Sequence, residues 1–119
     1  MIEVRAASLN YLDGALMEGR PYIARIMTGL RTPKVTRVGV DVAGQVEAVG
    51  RNVTQFKPGD EVFGACISDP HASGVNVWIC QGAFAEYVCA PESTVAIKPE
   101  NVTIEQAAAV PVAALTALR

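Results

Sequence analysis

Apolar and charged residues alternate over Ile2-Glu3-Val4-Arg5-Ala6, the period-two signature of a half-buried strand. Asn10-Tyr11-Leu12-Asp13-Gly14 comes next, and its Asn, Asp and Gly predict a turn. Between Gly19 and Arg37 the pattern is broken by Pro21, Gly29 and Pro33, which predicts a long surface loop with one helical turn around Tyr22 to Met27. The stretch Val38 to Gly64 is rich in β-branched residues (Val40, Val42, Val46, Val49), punctuated by Gly39, Gly44 and Gly50. Glycine inside a strand pattern marks a bulge or a close approach of another backbone. Lys57-Pro58-Gly59-Asp60 predicts a type II turn, with proline presetting φ and glycine supplying positive φ, and Glu61-Val62-Phe63-Gly64 starts a new strand.

Ser68 to Gln81 reads as loop, with Pro70, Gly74 and Asn76 as punctuation. Ala83 to Ala90 alternates Phe84, Glu86 and Val88 with Ala85, Tyr87 and Cys89, which predicts a strand, and Thr94 to Ile97 predicts another, closed by Pro99. Thr103 with Gln106 three residues on fits a capping box, so a helix starts there and runs through Ala107 to Ala109. Pro111 breaks or restarts it. A second helix over Val112 to Arg119 is nearly all apolar, and such a helix is normally buried on several sides. Short strands between Gly/Pro turns argue for a mainly β body, a barrel or a sandwich, with short C-terminal helices.

Composition narrows the function classes. The chain has 119 residues, half of them hydrophobic, which is one small domain with a modest core. Twelve acidic against ten basic side chains give a net charge of −2, without the basic excess of a nucleic-acid module. The apolar stretches are too short to span a bilayer, and no signal segment opens the chain, so no membrane role and a cytoplasmic location are expected. The three cysteines (Cys66, Cys80, Cys89) and one histidine (His71) form neither a disulfide framework nor a C-x-x-C pair. A Cys66/His71/Cys80 zinc site competes with the reading of reduced thiols and a loop histidine, and the expectation is no metal. No phosphate-binding glycine loop and no G-x-S-x-G elbow is present. Asp41 sits in an apolar run, either as a cleft carboxylate with a perturbed pKa or as a structural acid accepting backbone hydrogen bonds. Asn10, Tyr11 and Asp13 make a compact polar set just after a strand, where sites tend to sit, although an Asx-turn explains Asn10 and Asp13 equally well.

Five ordered blocks carry a resemblance. Gly39-Val40-Asp41-Val42-Ala43-Gly44-Gln45-Val46-Glu47-Ala48-Val49-Gly50 resembles the signature of the medium-chain dehydrogenase/reductase superfamily, in its zinc-independent, quinone-oxidoreductase-like branch. Ala6-Ala7-Ser8-Leu9-Asn10-Tyr11-Leu12-Asp13 lies upstream, and Phe56-Lys57-Pro58-Gly59-Asp60-Glu61-Val62 follows. Gly82-Ala83-Phe84-Ala85-Glu86-Tyr87-Val88 and Ala109-Val110-Pro111-Val112-Ala113-Ala114-Leu115-Thr116-Ala117-Leu118 come next. The resemblance implies a mainly β fold, a GroES-like partly open β-barrel over 1–102 lacking the family's N-terminal hairpin. Residues 103–119 would be a helical connection to a Rossmann domain that is not in the chain.

The resemblance also implies a substrate-side domain of a zinc-free NAD(P)H-dependent oxidoreductase. Zinc alcohol dehydrogenases begin the signature Gly-His-Glu, whereas this chain has Gly39-Val40-Asp41, and their first zinc cysteine falls near Asn10. In the intact family hydride moves between NADPH and an unsaturated or quinone-like carbonyl substrate. Tyr11, Asn10 and Asp13 are the implied catalytic set, with Tyr11 donating to the carbonyl oxygen. Asn10 and Thr116 would face the cofactor, and Asp41 and Trp78 would shape the substrate pocket. The pyrophosphate grip belongs to the Rossmann domain, so no NADPH is expected on this chain alone, which would then be inactive. The alternative is a free-standing GroES-like module that acts by self-association or by binding a partner or ligand. Apolar surface and unpaired strand edges at both chain ends are the motive for that alternative, and a homo-oligomer is expected.

Overall fold

The structure, a computed structural model, describes residues 1–18, 37–67 and 82–118. Five strands form one antiparallel sheet: β1 (Ile2–Ser8), β2 (Asp41–Val46), β3 (Glu61–Ala65), β4 (Tyr87–Val88) and β5 (Val95–Ile97), in spatial order β4-β1-β2-β3-β5. The described helices are α1 (Tyr11–Glu18), α2 (Ile104–Ala108) and α3 (Pro111–Ala117). Among the described residues the sheet does not close, because β4 and β5 remain its edges. The expected mainly β, partly open architecture is therefore the one observed.

β2 is the centre of the body, and its two faces have different partners. Val42 and Val46 join Ile2, Val62, Cys66, Ala83 and Val88 in the main core. Ala43 points the other way and packs against Ala107 and Ala108 of α2. Small residues at all three positions let the helix lie directly on the strand. Burial on both faces explains why β2 reads as nearly continuous apolar sequence rather than as an alternation.

A bulge in β1 sets the phase of everything near Asp41. Ile2 pairs with Val46 and Val4 with Gly44, then the register slips at Arg5, so that Ala6 pairs with Ala43 and Ser8 with Asp41. One extra residue moves all later side chains to the opposite face. Ile2 and Val4 therefore face the main core, while Ala6 and Ser8 face the helices. Gly44 lies opposite the bulge, and a Cβ there would collide with the Glu3 carbonyl and stand 3.1 Å from Ile2 Cγ2. The expected close backbone approach is thus located on β1.

The Lys57–Asp60 turn forms as expected, with Gly59 at φ +96° and the Asp60 N–H donating to the Lys57 carbonyl. The capping box also forms: Gln106 N donates to Thr103 Oγ1 and Thr103 N to Gln106 Oε1. Three expectations need correction. Asn10–Gly14 is not a turn but the entry of α1, because the Asn10 carbonyl accepts from both Asp13 N and Gly14 N. Ala83–Ala90 is not one strand: only Tyr87–Val88 pairs with β1, while the Ala83 and Phe84 N–H groups donate to the Gly39 and Val38 carbonyls. The last helix starts one residue early, with Pro111 as its first residue, where its missing N–H costs nothing. Its apolar side chains lack the partners such a helix normally has: Leu115 is 59% exposed and only Pro111 is buried. The loops expected over 19–37 and 68–81 lie outside the described residues except for Arg37, and so do His71, Trp78 and Cys80.

Gly44→Ala tests the close approach. It should destabilise the chain by about 1–3 kcal/mol in urea unfolding through overpacking. Gly50→Ala, whose added Cβ meets only Val53 Cγ2 at 3.8 Å, should stay within about 0.5 kcal/mol of the parent. Equal losses for the two variants would contradict the steric account.

Candidate functional site

Two carboxylates with no exposed surface, Asp13 and Asp41, organise the polar end of the sheet, where β1 runs out and α1 begins. Burying an ionised carboxylate is tolerable only when donors surround it. Asp41 Oδ2 accepts from Ser8 Oγ at 2.9 Å and from Asn10 Nδ2 at 3.0 Å, and its Oδ1 accepts from the Val112 N–H at 3.1 Å. Asp13 Oδ2 accepts from the Asn10 N–H at 2.8 Å, and its Oδ1 from the Gly39 N–H at 2.9 Å. Gly39 reaches that position at φ +99°, and a Cβ on it would meet Phe84 N at 2.6 Å.

Asn10 is held at almost every polar atom. Its backbone N–H and carbonyl are engaged by Asp13 and the first turn of α1, and its Nδ2 also reaches Ser8 Oγ at 3.3 Å. Both amide protons are thereby committed inward. Oδ1 takes no hydrogen bond among the described residues, so this half-buried side chain offers an acceptor. Beside it in sequence, Tyr11 is 90% exposed and Leu9 77%, so a phenolic donor and an apolar side chain flank the acceptor on the chain. Thr116 is exposed on α3.

Burial raises the Asp41 carboxyl above its ordinary value of 3.8. The hydrogen bonds from Asn10, Ser8 and Val112 pull in the opposite direction, and the Asp13 charge adds to the rise.

The sequence-derived residues separate into two groups. Asn10 and Tyr11 are together at the surface end of β1. Asp13 and Asp41 lie beneath it with their oxygens turned inward, so they fix Asn10, Gly39 and Val112 rather than meet solvent. Trp78 is outside the described residues. Sequence reasoning missed Ser8 and the Gly39 and Val112 N–H groups. Gly39 carried a signal, a glycine just before a strand; Ser8 was hidden by the bulge, and a backbone N–H on a distant helix leaves none.

Among the described residues two hollows border the start of β1, and the larger of them also reaches Val38 and Gly82 beside Gly39. One of about 490 Å³ is lined by Met1, Arg37, Phe84 and Tyr87, and one of about 310 Å³ by Ile2, Val46, Phe56 and Val95. Cys89 borders both and is exposed, whereas Cys66 is buried in the main core. No three His, Cys, Asp or Glu side chains among the described residues are grouped to hold a metal.

Residues 1–100 match the alcohol dehydrogenase GroES-like domain model. The chain is 39% identical over 119 residues to a chloroplastic quinone-oxidoreductase homolog of Spinacia oleracea, covering 98% of this chain and 31% of that protein. It is 37% identical over 117 residues to the chloroplastic NADPH-dependent alkenal/one oxidoreductase of Arabidopsis thaliana, with 98% and 28% covered. The structure of the quinone oxidoreductase from Coxiella burnetii superposes with a TM-score of 0.76 at 35% identity, over 98% of this chain and 33% of that one. The chain thus spans about a third of the length of the relatives it matches.

The raised Asp41 pKa has a sign in stability. The native state holds this proton more tightly than the unfolded chain does. The contribution is therefore complete below the ordinary value of 3.8 and is lost as pH rises through the folded value. Urea midpoints of the parent should carry this decline, and Asp41→Asn should flatten it. Parallel pH profiles for the two proteins would contradict the assignment.

Proposed function

The chain belongs to the alcohol dehydrogenase GroES-like domain family, within the medium-chain dehydrogenases/reductases and beside their quinone oxidoreductases, and from that premise we propose that it forms the substrate side of an NADPH-dependent reductase of unsaturated carbonyls or quinones. The observation that carries the reading is the state of Asn10: fixed by two buried carboxylates, with an Oδ1 that takes no hydrogen bond among the described residues and an exposed phenol next to it in sequence. Nothing in the fold itself requires an exposed tyrosine to follow an asparagine held this tightly.

These residues fit the nicotinamide end of the cofactor. An amide acceptor, a phenol and apolar side chains suit a neutral carboxamide or carbonyl; the pyrophosphate needs a glycine-rich turn and helix N-terminus, which this sequence does not contain. When bound, the cofactor supplies the hydride. Asn10 accepts a hydrogen bond from a donor on the bound molecule and fixes its orientation. Tyr11 donates its phenolic proton in a hydrogen bond to the substrate carbonyl oxygen, where negative charge develops. Thr116 contributes a second polar contact from α3. Leu9 and Leu12 exclude water when a second domain covers them. Residues 1–102 are then the barrel and 103–119 the connection to the nucleotide-binding part. The chain alone is inactive.

Zinc has no part in this reading. Val40 is a buried aliphatic residue where zinc alcohol dehydrogenases carry a histidine, and Asn10 replaces a thiol. The exposed Leu115 and Leu118 on and just beyond α3 support work against a second apolar surface. A homo-oligomer is a further part of the proposal. No described helix is long and apolar enough to cross a membrane.

A chimera tests the reading: this chain replaces the matching segment of the Arabidopsis alkenal/one oxidoreductase. It should oxidise NADPH with an enone or quinone acceptor, and Tyr11→Phe should lower turnover roughly 10²-fold with a smaller change in the KM for NADPH. A folded chimera that oxidises no NADPH with any such acceptor, or a Tyr11→Phe variant with full turnover, would overturn it.

A further inference from the structure

α3 has no cap of its own. Its N-cap residue is Val110, whose side chain makes no capping hydrogen bond, so the first N–H groups need an acceptor from elsewhere. Pro111 removes one of those donors, and Asp41 Oδ1, 71 residues away in sequence, takes the next, the Val112 N–H. The other oxygen of the same carboxylate holds Ser8 and the Asn10 amide. A single planar group therefore grips α3 with one oxygen and the Asn10 side chain with the other.

We propose that Asp41 is a positioning residue that locks the orientation of the Asn10 carboxamide to the seating of α3. The consequence for Asn10 follows from donor and acceptor chemistry. A carboxylate presents only acceptors, so the Asn10 amide must turn its NH2 inward and its oxygen outward. When the carboxylate moves with α3, or is neutralised, that constraint is released and the amide is free to turn over. A group on the bound molecule that meets Asn10 must accordingly be a donor, a hydroxyl or an N–H. The link to cofactor rests on the proposed function, in which Asn10 and Thr116 face the same molecule from β1's end and from α3. The relay gives one residue control over both.

An asparagine at 41 cannot serve both arms. If its oxygen faces Ser8 and Asn10, its NH2 faces the Val112 N–H, and donor meets donor; if it is turned over, its NH2 faces the Asn10 NH2. Ser8→Ala removes one donor on the Asn10 side and leaves the α3 arm alone. The charged group beside Asp41 among the described residues is Asp13 on α1.

The test is carried out on the whole 119-residue chain, by 15N–1H spectra across pH in the parent, Asp41→Asn and Ser8→Ala. In the parent the Asn10 side-chain amide and the Val112 backbone amide should titrate together, with one midpoint. In Asp41→Asn that shared titration should vanish, and hydrogen exchange at Val112 should speed up about tenfold or more, while Val42 and Val62 in the sheet stay protected. Ser8→Ala should shift the Asn10 amide and move the midpoint seen at Val112 by the same amount. Should Asp41→Asn fail to fold, the parent and Ser8→Ala still decide. Separate midpoints for the two amides, or a Ser8→Ala change confined to Asn10, would overturn the relay. None of these readouts involves a cofactor. An inactive chimera would sink the proposed function and leave the relay standing, and separate midpoints would do the reverse.

Discussion

A carboxylate with no exposed surface must find its donors inside the protein, and Asp41 finds three: Ser8 and Asn10, neighbours at the end of β1, and the Val112 N–H, 71 residues away in sequence. Ser8 ends β1, Asn10 precedes α1, and Val112 is the second residue of α3. Desolvation of such a group still costs several kcal/mol after relaxation, and each charge-assisted hydrogen bond returns about 1.5–3 kcal/mol. The balance is close enough that losing one donor matters. Asp13 repeats the device one turn away, joining Asn10 to Gly39. Between them the two acids replace what a longer core would otherwise supply at this end of a small domain.

The hydrophobic part of the body serves that arrangement. β2 is pinned by the main core on one face and by Ala107 and Ala108 of α2 on the other, so Asp41, at its first position, is held in place from both sides of the strand. The bulge at Arg5 brings Ser8 onto the Asp41 face. Without that slip Ser8 would share the phase of Ile2 and Val4 and point into the main core, and the carboxylate would lose a donor. A conformational irregularity in an edge-proximal strand is thus a requirement of the polar cluster, and Gly44 is the space that allows it. The two hollows that border the start of β1 are lined largely by apolar side chains, and no buried carboxylate is directed at them.

Much of this was legible in the sequence, and the failures have physical causes. Strand periodicity found β1, β2, β3 and β5, because each has β-branched or alternating residues between Gly or Pro turns. The Lys57–Asp60 turn and the Thr103–Gln106 cap were readable because their residue types carry the geometry. Asn10–Gly14 misled, since Asn and Asp suit a turn and a helix entry equally, and only tertiary hydrogen bonds from Gly39 and to Asp41 decide between them. Ala83–Ala90 alternates as a strand does, yet its first residues pair with the segment before β2 and only Tyr87 and Val88 with β1. The site was half visible. Asn10 and Tyr11 stood out as a polar pair after a strand, and for Asp41 the structural reading fits better than a carboxylate facing an open cleft. The role of Val112 could not be read, because a backbone N–H has no residue type.

The account turns on which end of β1 does the work. Titrating the 15N-labelled chain with reduced nicotinamide mononucleotide at millimolar concentration addresses that directly, since it probes the nicotinamide face without the pyrophosphate grip. The account predicts shift changes gathered on Asn10, Tyr11, Leu12 and Thr116. Changes gathered instead on Met1, Phe84, Tyr87 and Cys89 would place the working surface in the hollows and contradict it.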